Sequence, residues 1–419
     1  MGNEIITKPR GTLDYLGQDE RVLAGLRKLL MEEAKAYGCQ EAELPMFEET
    51  KLFHRTTGES SDIVQKETFD LAKKGDKDYT LRPEFTASVS RAVIENKLYT
   101  SPDMPLRISY FGPVFRYERP QAGRLRQFNQ YGVEFIDSRL DKDAVLDCFL
   151  LSLRASQKAL GRPISAKLNY LGSFASREAY KKALSAYFQD KIATMCDDCK
   201  RRLVINPLRI LDCKVPEDQE VCKGAPRISD YLTPEDKADY QTILKTLDAM
   251  GVHYEVDDGL VRGLDYYTGL VWELYDEAHT DIGAIGGGGK YSTLMSQIGG
   301  PDWEGIGFSL GIERLLLSLT PEQKEAFSGK PALDWFIIDN RRDGSAVLLA
   351  DKLRQLGKSV TLASFTRGMG GAFKMADRLG AKKVLIVDSD KLQVKDMQSR
   401  SQESVSEETL LTNEEKQHA

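Results

Sequence analysis

Residues 106–136 constrain the fold most, because two strand-like runs there flank a polar, basic loop. The runs LRISYFGPVFRY and FNQYGVEFI are joined by ERPQAGRLRQ, an arrangement that predicts an antiparallel β-hairpin. Side chains alternate along a strand, so Gln130, Gly132 and Glu134 share one face and the apolar residues between them share the other. The polar face has a glycine gap where a small zwitterionic or phosphorylated ligand can lie. A solvent-exposed antiparallel face shows the same alternation, so periodicity leaves both interpretations open.

The chain around this hairpin divides into segments of different pattern. Residues 19–37 place apolar side chains on one helical face and predict a helix that ends at Gly38. A further helix is predicted over 141–160. Residues 165–250 combine helical patterns with four cysteines and several prolines, and we interpret them as a helical insertion. Residues 259–319 return to strand-like runs, a glycine run and a strand-to-helix junction.

A polar stretch, TPEQKEAFSGKPALD, separates this part from a different pattern and predicts a linker, which we place at 326–331. Strand-like and helix-like runs alternate after it, in the order WFIID, SAVLLADKLRQLG, SVTLAS, FKMADRLG and KKVLIVD. This alternation predicts a compact α/β module with a mixed or parallel sheet over 332–419. The predicted fold class is therefore α+β, with residues 1–325 as the first domain, including its insertion.

Composition excludes several classes of protein. The 419 residues include 58 basic and 64 acidic ones, a formal charge of −6, which excludes a histone-like protein but allows a local basic patch for nucleic acid. No apolar run approaches the roughly 18 residues of a membrane span, and the amino-terminal segment is polar, so we expect no membrane partner and a cytoplasmic location. The histidines lie in no metalloprotease or esterase motif.

Several motifs resemble those of class II aminoacyl-tRNA synthetases, and of the histidyl-tRNA synthetase family in particular. FGPVFRYERPQAGRLRQFNQYGVEF is similar to the motif 2 hairpin and GIGFSLGIERLLLSL to motif 3, while AELPMFEE, with Pro45, is similar to motif 1 at the dimer interface. LRPEFTAS resembles the loop that holds the amino group of the amino acid. LVRGLDYYTG and GGGGKY resemble two signatures peculiar to the histidyl enzymes.

The resemblance runs from residue 9 to residue 387. It implies a class II catalytic domain with an antiparallel sheet flanked by helices, followed by an α/β anticodon-binding domain. It also implies ATP as a substrate, with Mg²⁺ to offset the polyphosphate charge.

The arginines of these motifs are implied to bind ATP. Arg116 takes the place of the motif 2 arginine on the α-phosphate, and Glu118 is assigned to ATP with it. Arg314, early in the motif 3 helix, is expected at the outer phosphates. Arg262 takes the place of the catalytic arginine opposite Arg116. Both would stabilise the charge that accumulates on the α-phosphate as the histidine carboxylate attacks in line.

The resemblance also implies a pocket for L-histidine. Glu84 and Gln130 are expected at the α-ammonium group, and Glu134 and Tyr267 at the two imidazole nitrogens. The residues assigned to histidine are Glu84, Thr86, Gln130, Glu134, Arg262, Tyr266, Tyr267 and Tyr291. A carboxylate that accepts from one ring N–H while a phenol meets the other nitrogen discriminates strongly against analogues without those groups.

Two motifs depart from the family pattern. Phe85 stands where the histidyl enzymes usually have glycine. Lys290, Ser292 and Thr293 replace the usual arginine, aspartate and glycine of the second signature. These substitutions alter the pocket wall but remove none of the residues expected to contact the ligand.

The motif 2 loop offers a basic surface to nucleic acid. Arg119, Arg124 and Arg126 are expected on phosphates of the tRNA acceptor end, and Gln121 on base edges. A solvated basic loop would have the same composition.

Four cysteines in the insertion, spaced C-x2-C-x13-C-x8-C, form a candidate metal site. The first pair, Cys196 and Cys199, has zinc-like spacing, and Cys213 and Cys222 follow singly. Two interpretations stay open, a structural zinc ion and four ordinary reduced cysteines.

The resemblance implies a homodimeric histidine–tRNA ligase that forms histidyl-adenylate and transfers histidine to the 3′ end of tRNA(His). The first alternative is a catalytically silent, histidine-sensing regulatory subunit of ATP phosphoribosyltransferase, which Phe85 favours. The second is a tRNA-binding paralogue without ligase activity. The motifs ERPQAGR and RGLDYY and the C-terminal module favour the ligase over the regulatory subunit.

Overall fold

The structure, a computed structural model, describes residues 5–57, 66–73, 75–261, 266–329, 332–363, 368–388 and 391–416. The chain forms two compact units, Met1–Phe327 and Ser328–Ala419. No helix within the described ranges is both long and apolar enough to cross a membrane.

The first unit is built on one large sheet and one small sheet. Its strands are β1 Gln40–Glu41, β2 Phe47–Glu49, β3 Phe69–Asp70, β4 Tyr79–Leu81, β5 Leu106–Phe115, β6 Gln127–Asp137, β7 Ser165–Tyr170, β8 Tyr254–Val256, β9 Tyr267–Tyr275, β10 Ala284–Tyr291 and β11 Glu304–Gly311. The large sheet has the order β1-β5-β6-β11-β10-β9-β7-β8, and the small sheet has the order β2-β4-β3. Neighbours from β5 to β7 are antiparallel, while β1 and β8 pair in parallel at the two edges.

Helices cover the large sheet and form the insertion. They are α1 Gln18–Ala36, α2 Thr50–Thr57, α3 Thr86–Glu95, α4 Lys142–Leu160, α5 Phe174–Gln189, α6 Asp197–Ile205, α7 Pro216–Lys223, α8 Pro234–Ala249, α9 Leu294–Gln297, α10 Ile312–Ser318 and α11 Pro321–Ser328. The apolar residues of α1 and α4 share one core with Tyr131, Val133 and Phe135 of β6. This confirms the predicted α+β class and the predicted packing face of the hairpin, and it leaves the polar face of β6 for the site.

Two segments differ from the sequence interpretation. Residues 165–170, which we placed at the start of the insertion, form β7 of the large sheet, and the inserted helices begin at Phe174. Much of the polar stretch taken for a linker is helix α11. The Thr320 amide donates to Gln323 Oε1 over 2.9 Å and the Gln323 amide to Thr320 Oγ1 over 3.3 Å, a capping box that starts this helix.

The second unit has a mixed sheet, as the alternating pattern predicted. Its strands are β12 Leu333–Asp339, β13 Val360–Leu362, β14 Ala381–Val387, β15 Leu392–Asp396 and β16 Gln402–Val405, and its helices are α12 Ser345–Gln355, α13 Met369–Arg378 and α14 Glu407–Lys416. β13, β12 and β14 are parallel, and β15 and β16 continue the sheet antiparallel. The polar tail is anchored by Glu414, which pairs with Lys383 over 2.9 Å and Lys358 over 3.1 Å.

Candidate active site

The carboxylate of Glu134 is the centre of a buried hydrogen-bonded group. Thr86 Oγ1 and the Tyr110 hydroxyl donate to its Oε1 over 2.7 and 3.2 Å, and the Tyr291 hydroxyl donates to its Oε2 over 3.0 Å. Burial, together with the nearby Glu84, raises the pKa of Glu134 to about 8, although the hydrogen bonds act in the opposite direction. Glu134 is thus a carboxyl that changes charge near neutral pH.

Glycines in two strands make room for this group. A Cβ on Gly307 of β11 would overlap the Glu134 carboxylate, and a Cβ on Gly132 of β6 would overlap the Tyr110 phenol. Tyr110 lies opposite Gly132 in the β5–β6 register. The glycine gap that we expected to receive a ligand is therefore filled by Tyr110, a residue that the sequence analysis did not assign.

A second carboxylate and a free amide oxygen lie beside the group. Glu84 accepts from the amides of Thr86 and Ala87 over 2.6 and 2.9 Å, so it caps α3, and burial raises its pKa. Gln130 is 7% exposed, and its Oε1 has no hydrogen-bond partner in the described part of the chain. A buried amide oxygen without a partner is unfavourable, so a ligand N–H such as an ammonium group would satisfy it.

These side chains surround a cavity of about 50 Å³. Its lining consists of Glu84, Phe85, Thr86, Tyr110, Arg116, Gln130, Glu134, Tyr266, Tyr267, Tyr291, Gly307, Phe308 and Ser309. The rings of Tyr266 and Tyr267 lie 4.6 Å apart and form an aromatic wall. The structure therefore brings together the residues that we assigned to histidine, except Arg262, which lies outside the described residues.

Phe85, the first departure from the family pattern, is part of the cavity wall. Its ring stacks on Tyr110 with a centroid distance of 4.2 Å and an angle of 11°, and the Arg82 guanidinium lies 3.8 Å from its centroid. The residue is 2% exposed. Phe85 thus supports the phenol that donates to Glu134 and displaces no predicted ligand contact.

The second departure lies outside the lining of this cavity. Lys290 pairs with Glu304 over 2.9 Å, and Ser292 shares a hydrogen bond of 3.0 Å with Thr268. These two substitutions therefore change contacts beside the cavity, not its lining.

A larger, basic cavity of about 210 Å³ adjoins the first. Its lining includes Arg116, Arg124 and Arg314, together with the carboxylates of Glu118 and Glu273. Guanidinium groups in a partly dehydrated cleft bind phosphate oxygens strongly. The cavity is therefore suited to a polyanion.

Arg116 lies where the two cavities meet, since it lines both of them together with Gln130 and Ser309. Its Nε donates to the Pro83 carbonyl over 3.0 Å, and its guanidinium lies 5.4 Å from the centroid of Phe128. These contacts hold the side chain at the boundary. A group bound in the small cavity and a phosphate bound in the large one would both be within its reach.

Arg314 ties the motif 2 loop to the motif 3 helix. Its Nε donates to the Gly123 carbonyl over 3.1 Å, and its Nη1 donates to the Ala284 carbonyl. Burial and the neighbouring Arg124 lower its pKa, but an arginine stays charged in proteins. The guanidinium therefore remains a fixed positive charge in the wall of the large cavity.

The loop residues assigned to tRNA separate into two kinds. Arg119, Gln121 and Arg124 are exposed, and backbone hydrogen bonds of 3.0 and 2.9 Å between Gln121 and Arg124 close a tight turn. Arg126 instead lies over the Tyr117 ring, 4.0 Å from its centroid. The first three can contact a large partner, whereas Arg126 is engaged in the structure of the loop.

Glu313 is a further residue that the sequence analysis missed. Its carboxylate accepts from the Asn129 amide over 2.9 Å and from the Tyr15 hydroxyl over 2.8 Å. It joins the motif 3 helix to β6 and to the segment PRGTLDY. The sequence signal that could have identified Glu313 is its charge, next to Arg314 at the start of an apolar helix.

The cysteines of the insertion are only partly brought together. The Sγ atoms of Cys196, Cys199 and Cys213 and a carboxylate oxygen of Asp218 lie within 4.8 Å of one another. Cys222 Sγ instead lies 3.3 Å from a backbone carbonyl oxygen, that of Ile210. The fourth member of the group in the structure is therefore Asp218 rather than Cys222.

Comparisons with known proteins point to one family. The family model described as histidyl-tRNA synthetase matches residues 11–315. A Bacillus velezensis protein named histidine–tRNA ligase is 41% identical over 410 residues, 95% of each chain. A Staphylococcus aureus protein of the same name is 40% identical over 417 residues, covering 97% of this chain and 99% of that one.

The chain is also similar to solved structures. Apo S. aureus histidyl-tRNA synthetase has a TM-score of 0.78 at 33% identity, covering 98% of this chain and all of that one. A Bacillus halodurans structure, described as an ATP phosphoribosyltransferase regulatory subunit/histidyl-tRNA synthetase, has a TM-score of 0.64 over 92% of this chain and 98% of that one. At 22% identity it shows the likeness of fold alone.

Proposed function

This chain belongs to the histidyl-tRNA synthetase family and is a histidine–tRNA ligase, and we propose that its two adjoining cavities bind the reactants of the first half-reaction. Histidine occupies the smaller cavity and ATP the larger one. The observation that carries this assignment is the position of Arg116, which lines both cavities. The histidine carboxylate and the α-phosphate would meet beside it.

Histidine is recognised by paired polar groups. Glu134 accepts a hydrogen bond from one ring N–H, and Tyr267 contacts the other ring nitrogen. The α-ammonium group donates to Glu84 and to Gln130 Oε1, which has no other partner among the residues described. An amino acid without two ring nitrogens would leave buried polar groups unpaired, which is the basis of strong discrimination.

Adenylation proceeds by attack of a histidine carboxylate oxygen on the α-phosphorus, and pyrophosphate leaves as the bond to the bridging oxygen breaks. Arg116 stabilises the charge that develops on the α-phosphoryl oxygens. Arg262 is assigned the opposite side by its motif, although it falls outside the part of the chain that the structure describes. In the second half-reaction, the terminal ribose hydroxyl of tRNA(His) attacks the acyl carbon and AMP leaves.

Magnesium is proposed to accompany ATP. Glu118 and Glu273 line the large cavity among its arginines, and carboxylate oxygens are ligands that Mg²⁺ prefers. These two residues would hold the ion, which would supply positive charge to offset that of the polyphosphate.

The macromolecular assignments rest on exposed surfaces. The exposed residues Arg119, Gln121 and Arg124 support contact with the tRNA acceptor end, and the second unit is proposed to bind the anticodon. Met46 and Phe47, in the segment resembling motif 1, are 52% and 51% exposed, which supports a homodimer interface there.

We place the enzyme in the cytoplasm, where its tRNA is used.

Histidine-dependent ATP–pyrophosphate exchange, followed by charging of total tRNA, tests the function. Both activities are expected. Absence of exchange in folded protein would favour the regulatory subunit or the paralogue and would overturn the proposal.

Removing residues 332–419 should weaken tRNA charging far more than histidine activation. The second unit has its own apolar cores, and both cavities are lined by residues of the first. The measurement compares the initial rates of exchange and of charging for both forms of the protein. Equal loss of the two activities would show that the second unit supports the catalytic fold or the dimer instead.

Histidine use should improve as pH rises from 7 to 8.5. Because the pKa of Glu134 is raised to about 8, its carboxyl is protonated in free enzyme at pH 7 and has to ionise before it accepts from the ring N–H. The ratio kcat/KM reports groups of the free enzyme, so its value for histidine should be about tenfold lower at pH 7 than on the plateau. The KM for ATP at saturating histidine is the control and should stay constant. A flat histidine profile would contradict the role of Glu134.

A further inference from the structure

A second buried polar group lies in the helical insertion, and none of its members lines either cavity. It consists of Cys196, Cys199, Cys213 and Asp218, and we call it the thiol–carboxylate group. One ligand atom from each residue lies within 4.8 Å of the others. Cys199, Asp218 and Cys213 are 0, 2 and 4% exposed, and Cys196 is half-buried.

The distances fit a single tetrahedral metal ion. Two sulfur atoms bound to one zinc ion, each about 2.3 Å from it, would lie about 3.8 Å apart. Cys196 Sγ and Cys213 Sγ are separated by 3.8 Å. A sulfur and a carboxylate oxygen on the same zinc ion would lie about 3.6 Å apart, and Cys213 Sγ lies 3.2 Å from Asp218 Oδ2. Small side-chain movements would complete the tetrahedron.

Backbone amides already orient two of the ligands. The Cys199 amide donates to Cys196 Sγ over 3.4 Å, and the Cys196 amide donates to Asp218 Oδ2 over 3.1 Å. Hydrogen bonds of this kind hold ligand atoms in position around a metal. A buried carboxylate is unfavourable unless it is paired or coordinates a metal. Asp218 contacts the Cys196 amide and the thiols of Cys196, Cys199 and Cys213, so all three thiols already face this carboxylate.

The members come from three separate pieces of the insertion. Cys196 and Cys199 lie at the start of α6, Cys213 follows the short helical turn Pro207–Asp212, and Asp218 lies in the first turn of α7. One ion bound to all four residues would tie these pieces together.

We propose that the thiol–carboxylate group binds one zinc ion as a structural site of the insertion. Thiolates select zinc over magnesium and calcium. Four protein ligands close the tetrahedral sphere, so the ion stabilises the fold and takes no substrate. On binding, the three thiols release their protons to solvent, and Asp218 coordinates as the carboxylate.

Metal analysis of tag-free protein, expressed with zinc and dialysed, is the first test. About one zinc ion per chain is expected, with cobalt substitution giving the thiolate charge-transfer absorption of a tetrahedral site. Metal-free protein whose melting temperature does not respond to added zinc would overturn the proposal. A Cys196–Cys213 disulfide in the purified protein would overturn it as well.

Variants then test which residues bind the ion. Cys213→Ser and Asp218→Asn should each weaken zinc binding by more than 10- to 100-fold. That is the loss expected when a residue that only hydrogen-bonds to a metal ligand is removed. Cys222→Ser is the matched control and should keep about one zinc ion per chain. Zinc lost from Cys222→Ser but kept in Asp218→Asn would overturn the assignment in favour of four cysteines. If Cys213→Ser does not fold, the metal content and cobalt spectrum of the unmodified protein still decide.

Discussion

Replacing Glu134 by glutamine should lower kcat/KM for histidine in pyrophosphate exchange by at least about a hundredfold. The carboxylate accepts hydrogen bonds from Thr86, Tyr110 and Tyr291. Glutamine keeps the size of the side chain but offers only one oxygen, and an NH2 group replaces the other. That NH2 group would face at least one of these hydroxyl donors. The single oxygen would not suffice for the remaining donors and the proposed imidazole N–H. A buried donor without a partner costs about 1–3 kcal/mol, and more for charged groups.

The control is Tyr131→Phe, which removes a hydroxyl from the opposite face of the same strand. That hydroxyl is buried and has no hydrogen-bond partner among the described residues. Its removal should leave exchange unchanged. If Glu134→Gln retains kcat/KM for histidine within tenfold of the unmodified enzyme, the carboxylate is not the imidazole acceptor.

Local sequence patterns predicted which side chains of β6 face the smaller cavity. The alternation along β6 placed Gln130 and Glu134 on one face, and both line the smaller cavity. The roles of Glu84 and Tyr291 could not come from periodicity, since one precedes a helix and the other ends a strand distant in sequence. Only the ordered motifs placed them together, and the structure then shows hydrogen bonds to Thr86 and Glu134 that fix them.

What sequence reasoning missed depends on pairing between distant segments. Tyr110 fills the space above Gly132 because β5 and β6 pair in that register. Cysteine spacing suggested Cys222, but helix α7 presents Asp218 to the other thiols. The start of α11, by contrast, could have been predicted from local sequence, because Thr320 and Gln323 form a capping box three residues apart.

The motif VRGLDYY contains the residue with the largest expected catalytic effect. Arg262 lies outside the described residues, whereas Leu260 and Tyr266, on either side of it, are described. Leu260 and Tyr266 belong to the same apolar cluster as Tyr291, and Tyr266 lines the smaller cavity. The described residues on both sides of Arg262 therefore lie in or beside the wall of this cavity, which supports the proposed position of Arg262 opposite Arg116.

Arg262→His should nearly abolish pyrophosphate exchange while the KM for ATP changes little. A contact made mainly in the transition state lowers the rate constant more than it weakens ground-state binding. Loss of one well-placed charged donor costs on the order of 3 kcal/mol, or about a hundredfold or more in rate. Lysine at this position should restore activity only partly, since an ammonium group cannot make the forked contact.

Single-turnover transfer from preformed histidyl-adenylate to tRNA separates this role from a general defect. Arg262→His should spare transfer, because the α-phosphate is then part of the leaving group and no longer the centre under attack. Arg139→His, at an exposed position outside both cavities, is the control and should keep normal exchange. Near-normal exchange by Arg262→His, or a loss explained by a raised KM alone, would show that Arg262 at most binds substrate.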